Sequence, residues 1–513
     1  MLPGHKTVLL IAGLYFGGAG IAFAQDQPAS DVVPPSIEET AEEPAEEAPS
    51  PPPPAPPPQP WKGLFFDNNF SYKQDPDHKH LFGEELKDIP FDAFPIEETT
   101  ISTGGEVRYR YMDEVNRLRP PFGLTTRDTY DLWRWRQYFD VHVSDLFRGY
   151  VEGIDASSFG EELPEAGIDV NRWDLLNAFF DLHVADLGDQ AVQFRFGRQE
   201  LLYGSQRLVS PLDWANTRRN FEGFKLFTKG DVWDIDAWST RPVNTAAGNT
   251  TLARLDNSYD TNDASRTFSG VYATHHGDPQ STYDMYWLFD RDVDLPTTHL
   301  HRNRHTVGGR WLKHKPIKDE SGDVSRTWHT EAEGGYQFGT DSGQRVEAGF
   351  ITLGGGHTWN QLPWSPEVWM FYDWASGDHD PADDESNTFQ HLFPLAHAYM
   401  GLIDNVARQN ISDINARVQL KPTKKLQLQG AYHFIDLATD NDFIYTVTGS
   451  PAGTTNVGNK VGDELDLLAN YDVNTNVSVQ VAYFWFWYGS AVQNSALDRD
   501  DAKQFYVQTT LRY

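Results

Sequence analysis

Residues 477–488 read VSVQVAYFWFWY. In an extended chain successive side chains point to opposite faces, so Val477, Val479, Val481, Tyr483, Trp485 and Trp487 share one side. The same period of two runs through EVRYRY (106–111), where Val107, Tyr109 and Tyr111 oppose Glu106, Arg108 and Arg110. In LWRWRQYFDVHV (132–143), Trp133, Trp135, Phe139, Val141 and Val143 oppose Arg134, Arg136, Tyr138, Asp140 and His142, with the alternation broken at Leu132. In VQFRFG (192–197), Val192, Phe194 and Phe196 oppose Gln193 and Arg195. These are strands with one apolar and one polar face. The apolar face meets a second sheet in a soluble sandwich and lipid in a membrane barrel. Two features select lipid. The apolar faces end in Trp and Tyr, as an interfacial girdle does, and the opposite faces carry Arg, Asp, Glu and Gln over many strands, as a wet lumen does.

The same reading extends along the chain of 513 residues. Candidate strands start near 101, 130, 147, 176, 191, 222, 232, 267, 282, 304, 328, 344, 367, 409, 425, 461, 476 and 503. That is about eighteen, an even number that returns both ends of the barrel to one side. Short turns such as KGD (229–231) and KPTK (421–424) alternate with long loops such as 377–408 and 436–460; only between 315 and 366 is this parity ambiguous. The last residues, FYVQTTLRY, place Phe505, Val507, Thr509, Leu511 and Tyr513 on one face, like the final strand of outer-membrane barrels. The expected fold is all-β: a transmembrane antiparallel β-barrel over 101–513.

The segments before it differ. MLPGHKTVLLIAGLYFGGAGIAFAQ has Lys6, an apolar stretch and Ala22-Phe23-Ala24, the layout of a signal peptide spanning 1–24. Residues 25–60 are Pro, Glu and Ala with almost nothing to bury, which predicts a disordered acidic linker. Residues 61–100 read as a periplasmic segment or a plug. Beyond the signal no apolar run reaches about 18 residues, so no spanning helix is expected. A mean hydropathy of −0.56 does not exclude a barrel, which needs only alternate residues to be apolar. The expected location is the outer membrane of a Gram-negative-type bacterium, with lipid as the surrounding partner. Without cysteine, stability must come from burial and sheet closure. A formal charge of −32 argues against nucleic acid as a partner.

Within so acidic a chain, residues 194–223 hold five arginines and no lysine. By alternation Arg108, Arg110, Arg134, Arg136, Arg195, Arg310, Arg345 and Arg417 face the lumen, while Arg198, Arg207, Arg218 and Arg219 lie at a strand end or in the following loop. A guanidinium is always charged and matches a carboxylate with a planar fork. A ring of them in a narrow pore selects anions and concentrates them locally. The alternative is wall-propping ion pairs, with Glu106, Asp140, Glu347 and Asp413 aligning the arginines.

FGRQELLYGSQRLVSPLDWANTRRNFEGFKL (196–226) resembles the alginate export porin family, and YDWASGDHDPADDESNTFQHLFPLAHAYMGLIDNVARQNISDI (372–414) is similar to that family's long loop and following strand. The resemblance implies an eighteen-stranded barrel and an arginine-lined conduit for acidic sugar, and marks Arg195, Arg198, Arg207, Arg218, Arg219 and Arg408 as functional. The acidic, Pro-rich 25–60 departs from the family pattern.

Other signals are weaker. Asp378, Asp380, Asp383 and Asp384 offer the hard oxygen ligands that Ca²⁺ takes, but without EF-hand spacing; a solvated acidic loop is the simpler reading, and no cofactor is expected. His299, His301 and His305 sit beside Arg302 and Arg304, which repel a cation. Asp341-Ser342-Gly343 reads as a turn. No acid/base or nucleophile constellation appears, so the expectation is a channel and no enzyme. It would pass an anionic, alginate-like polysaccharide or acidic sugars, with a periplasmic export partner reached through the tail. The alternatives are a general or small-anion porin, and an outer-membrane enzyme acting on acidic polysaccharide.

Overall fold

The structure is a computed structural model, and it describes residues 59–91, 99–119, 126–244, 259–293 and 301–513. The expected signal peptide, nearly all of the expected linker and His299 lie outside the described residues. Eighteen antiparallel strands form the barrel. They are β1 (Thr99–Val115), β2 (Arg127–Val143), β3 (Phe147–Phe159), β4 (Asn171–Leu187), β5 (Gln190–Gln199), β6 (Phe221–Lys229), β7 (Trp233–Pro242), β8 (Arg266–Asp278) and β9 (Ser281–Asp292). The remainder are β10 (Arg302–Lys318), β11 (Val324–Asp341), β12 (Gln344–Trp359), β13 (Glu367–Ala375), β14 (Ile411–Leu420), β15 (Leu426–Leu437), β16 (Lys460–Asp472), β17 (Val477–Tyr488) and β18 (Ala502–Arg512). Each pairs with the next, and β1 pairs with β18 from Glu106↔Arg512 to Val115↔Lys503, which closes the sheet and leaves no edge. The ambiguous stretch resolves as β10, β11 and β12, joined by a short turn after Lys318 and by Ser342-Gly343 after Asp341.

The faces are set as the alternation requires. Trp133, Phe139, Phe196, Met285, Ile414, Phe434 and Trp487 are all at least 38% exposed on the outside, where they meet lipid in place of a second sheet. No helix among the described residues is long and apolar enough to cross a membrane.

The inside is filled near the end that carries the long loops. Two of these loops, 200–220 and 376–410, fold into the lumen and knit to each other. Ser210 N donates to Phe393 O at 2.9 Å, Phe393 N to Leu208 O at 2.9 Å and Leu395 N to Gln206 O at 2.9 Å. Their Leu208, Val209, Phe389, Phe393, Met400 and Ile403 share one core with Phe221, Trp238, Phe268, Phe350, Ile435, Phe484 and Phe486 of the wall. This core explains why 477–488 is apolar on both faces: Phe484, Phe486 and Tyr488 pack on loops while Tyr483, Trp485 and Trp487 look outward.

A strap enters from the other end. Leu64, Phe65 and Phe66 pack on the inward side chains Tyr138, Tyr150 and Phe179. The strap is tied to the rim by Ile89–Pro90, which pairs with Thr100 and Ile101, and by Lys87 Nζ, which donates to the carbonyls of Thr103 and Tyr513.

Candidate functional site: the arginine wall and its loops

Strands β1 and β2 alternate in register, with Glu106 opposite Arg136, Arg108 opposite Arg134 and Arg110 opposite Leu132, so four guanidiniums crowd one patch of the inner wall. Such crowding is stable only if counter-charges and carbonyl dipoles absorb it. Loop 200–220 supplies them. Arg108 Nη1 donates to Asp213 O at 2.8 Å, Arg110 Nη2 to Trp214 O at 2.8 Å and Arg134 Nη1 to Ala215 O at 3.1 Å. Arg134 also pairs with Glu106 and with the Asp213 carboxylate, the latter at 2.8 Å. Arg218, from the same loop, pairs with Asp213 and Glu200 and donates to the strap's Gly63 O at 2.9 Å. The indole of Trp214 is sandwiched between the Arg110 guanidinium, 3.8 Å from its centroid, and the His397 ring, 3.6 Å away.

By their partners the candidate arginines fall into three groups. Arg136 pairs with Glu152 at 2.6 Å and lies over Phe65 of the strap. Arg195 makes a two-pronged pair with Asp181 at 2.7 and 2.8 Å, Arg198 binds Glu222 and Asp174, and Arg207 binds Glu331 and Glu333. Arg310 binds Glu331 and Asp284, and Arg408 grips Asp373 at 2.6 and 2.8 Å. These are the wall-propping pairs. A second group has no carboxylate within 4 Å among the described residues: Arg108, Arg110, Arg219 and Arg417 spend their donors on carbonyls and amides. Arg219 binds the carbonyls of Ser210 and Pro394, while Arg417 binds Ala398 O at 2.9 Å and Asn415. Arg345 stands apart. The alternation reading put it in the lumen, but Val346, Ala348 and Phe350 occupy the inner face of β12 against the folded-in loop, so Arg345 and Glu347 point outward and pair there.

The local field around Arg219 is positive. Burial and the neighbouring Arg266 pull the Arg219 guanidinium down to about 10, where it stays charged at neutral pH. Burial, Arg219 and Arg408 push the nearby His391 imidazole down to about 3, so it is neutral there.

Two cavities border segment 211–219. On the long-loop side, one of about 320 Å³ is lined by Leu212, Thr217, Arg218, Arg219 and Arg266. On the strap side, one of about 210 Å³ is lined by Arg108, Arg110, Arg512, Gln480, Gln508 and Tyr506 among others, with Asp213 its sole acidic lining residue. That carboxylate is already held by Arg134 and Arg218. Guanidiniums beside amides and hydroxyls suit an acidic sugar, the first taking the carboxylate and the others its hydroxyls. Arg512, Gln480, Gln508 and Tyr506 escaped the sequence reading, although inward amides recur in β17 and β18 by simple alternation.

The weaker candidates are placed as follows. Asp378, Asp380 and Asp383 accept hydrogen bonds from N–H groups of Asp380, Ala382 and Glu385 in their own loop, and Asp384 O accepts from Arg345 N. His305 stacks on Phe289 and Phe338 in the outer aromatic face.

The alginate export family model matches residues 99–505. No protein of curated function matches in sequence. Among solved structures, OpdK of Pseudomonas aeruginosa, crystallised with vanillate, superposes with a TM-score of 0.54 at 11% identity, covering 82% of this chain and 99% of OpdK. OccD3 (OpdP) of the same bacterium gives 0.52 at 11% identity over 89% of this chain and 99% of its own. OccK5 (OpdH), also from Pseudomonas aeruginosa, gives 0.51 at 12% identity over 80% and 98%. These likenesses carry the barrel fold alone. With the family match running from the start of β1 into β18, the chain belongs to the alginate export family and is an outer-membrane channel.

Proposed function

We propose that the channel passes an anionic polysaccharide of the alginate type, or acidic sugars derived from one, through the arginine-lined lumen. The observation that carries this reading is the 210 Å³ cavity, where Arg108 and Arg110 meet a single carboxylate already claimed by other arginines, beside Arg512, which is paired with Glu106 at 3.2 Å. The division of labour follows. Paired arginines hold loops and strap in place; Arg108, Arg110, Arg219 and Arg417, with no carboxylate at hand, supply the attraction for a passing uronate. Charge-assisted contacts of about 1.5–3 kcal/mol each, repeated along the path, hold a chain while letting each sugar be exchanged for the next. The periplasmic export partner, the acidic tail's part in reaching it, and a Ca²⁺ site at Asp378–Asp384 belong to this reading only as proposals.

The test is planar-bilayer recording with oligouronates added. The wild type is expected to favour anions, and current block should strengthen with oligomer length. Arg108→Gln/Arg110→Gln should weaken the block roughly tenfold or more, on the scale of one charge-assisted contact. Block by a monomeric uronate that does not grow with length identifies a small-anion porin instead. Anion preference untouched by the double variant sinks the role given to these arginines.

A further inference from the structure

The sequence HKHLFGEE (78–85) lies in the turn between the strap and the rim, outside the barrel wall. There His78, His80 and Glu84 each turn one ligand atom to a common point, all within 4.8 Å of one another, the sole such group among the described residues. His78 Nε2 lies 3.2 Å from Glu84 Oε1, and His80 Nδ1 meets the same oxygen. Ligand atoms on a tetrahedral zinc, at bond lengths of about 2.0–2.1 Å, lie about 3.4 Å apart, so small rotations suffice to admit an ion.

The groups behind these atoms are already set. His78 Nδ1 is 2.6 Å from Asp75 O, which fixes its proton there and leaves the Nε2 lone pair facing the carboxylate. Glu84 is 8% exposed, and its second oxygen accepts from Leu81 N at 2.9 Å and from the Tyr72 hydroxyl at 3.3 Å. An oriented imidazole, an anchored carboxylate and an exposed second imidazole form a three-ligand set with room for water or a further donor.

We infer that His78, His80 and Glu84 form a binding site for a divalent transition-metal ion, zinc in the first instance. The site goes beyond the channel reading and does not depend on the cargo. Its position gives the ion a structural role: the turn it closes also holds Phe82, whose carbonyl accepts from Asn476 Nδ2 at 2.9 Å, and Lys87, which is bonded to the rim. A metal there clips the base of the strap.

Untagged, full-length protein folded in detergent and stripped with EDTA is titrated with zinc chloride by calorimetry. One equivalent is expected to bind, and His80→Ala to weaken binding at least about tenfold, the scale seen on disturbing a metal's immediate surroundings. The His80 side chain is 83% exposed, so its loss leaves packing intact. Tyr72→Phe, which removes no ligand, should cost less than His80→Ala. Cobalt provides a second readout: its visible d–d bands should appear in the wild type and vanish in His80→Ala. The inference is overturned if the wild type takes up no zinc, or if His80→Ala and Glu84→Gln bind it as tightly as the wild type.

Discussion

On the wall made by β1 and β2, arginines reach for loop carbonyls; on β16, carboxylates accept from loop amides. Arg108, Arg110 and Arg134 hold the carbonyls of 213–215. Past β17 and β18, Ile403 N donates to Glu464 at 2.8 Å and Leu402 N to Asp466 at 3.3 Å. Gly401 lets the loop come this close: it sits at φ +86°, and a Cβ there would collide with the Glu464 carboxylate. The walls also differ in charge accounting. The arginine wall leaves Glu106, Glu152 and Glu200 each bound to a guanidinium, whereas Asp413 and Asp466 are joined only by His433, at 2.8 and 3.8 Å. A charge can therefore be removed from one wall without stranding a partner, and from the other it cannot.

The largest effect that would break or sharpen this contrast is Arg134→Ala. It takes one of two guanidiniums from each of two carboxylates, leaving Glu106 with Arg512 and Asp213 with Arg218, in a site where Arg134 and Glu106 are each 1% exposed, and should cost about 3 kcal/mol in urea unfolding of the detergent-folded barrel. Equal stability with and without this guanidinium would mean that the pair props nothing. Glu464→Gln comes next. The amide oxygen still accepts from Ile403 N and no cation is orphaned, so the change should stay within about 1 kcal/mol in the same measurement. A loss as large as that of Arg134→Ala would erase the distinction between the walls.

The smallest effect concerns the strap. Glu84 has its carboxyl at about 2 in the folded state and near 4.5 otherwise, so its contribution is complete above 4.5 and fades as pH falls towards 2. Limited proteolysis within 59–91 should accelerate over that window in the metal-free protein, and Glu84→Gln should be cleaved at the faster rate already at neutral pH. A flat cleavage rate from pH 5 to pH 2 would detach Glu84 from the strap's docking.

The strands were legible because lipid outside and polar groups inside impose a period of two, as in Trp133-Arg134-Trp135-Arg136. Legibility failed where both faces are apolar. Leu132 breaks the alternation because it faces inward into the loop core, at 2% exposure. Arg345 was assigned to the wrong face for the same reason, since Val346, Ala348 and Phe350 serve a core that alternation alone cannot distinguish from lipid. The arginine-rich stretch marked the site but not its wiring, because Asp213, Glu106 and Gly63 are far apart in sequence and meet only once loop and strap fold inward. The HKHLFGEE spacing was in plain view, but it lies where periodicity says nothing.

Arg218 touches both sides of the membrane's traffic at once. One of its N–H groups reaches the Gly63 carbonyl of a segment inserted from the inner rim, while its others hold Glu200 and Asp213 of the loop that descends from the opposite mouth. Withdrawing that segment would leave a buried donor unanswered, a penalty of about 1–3 kcal/mol that the loop must absorb by shifting. The strap and the loop from the opposite mouth therefore share one buried guanidinium as their common anchor.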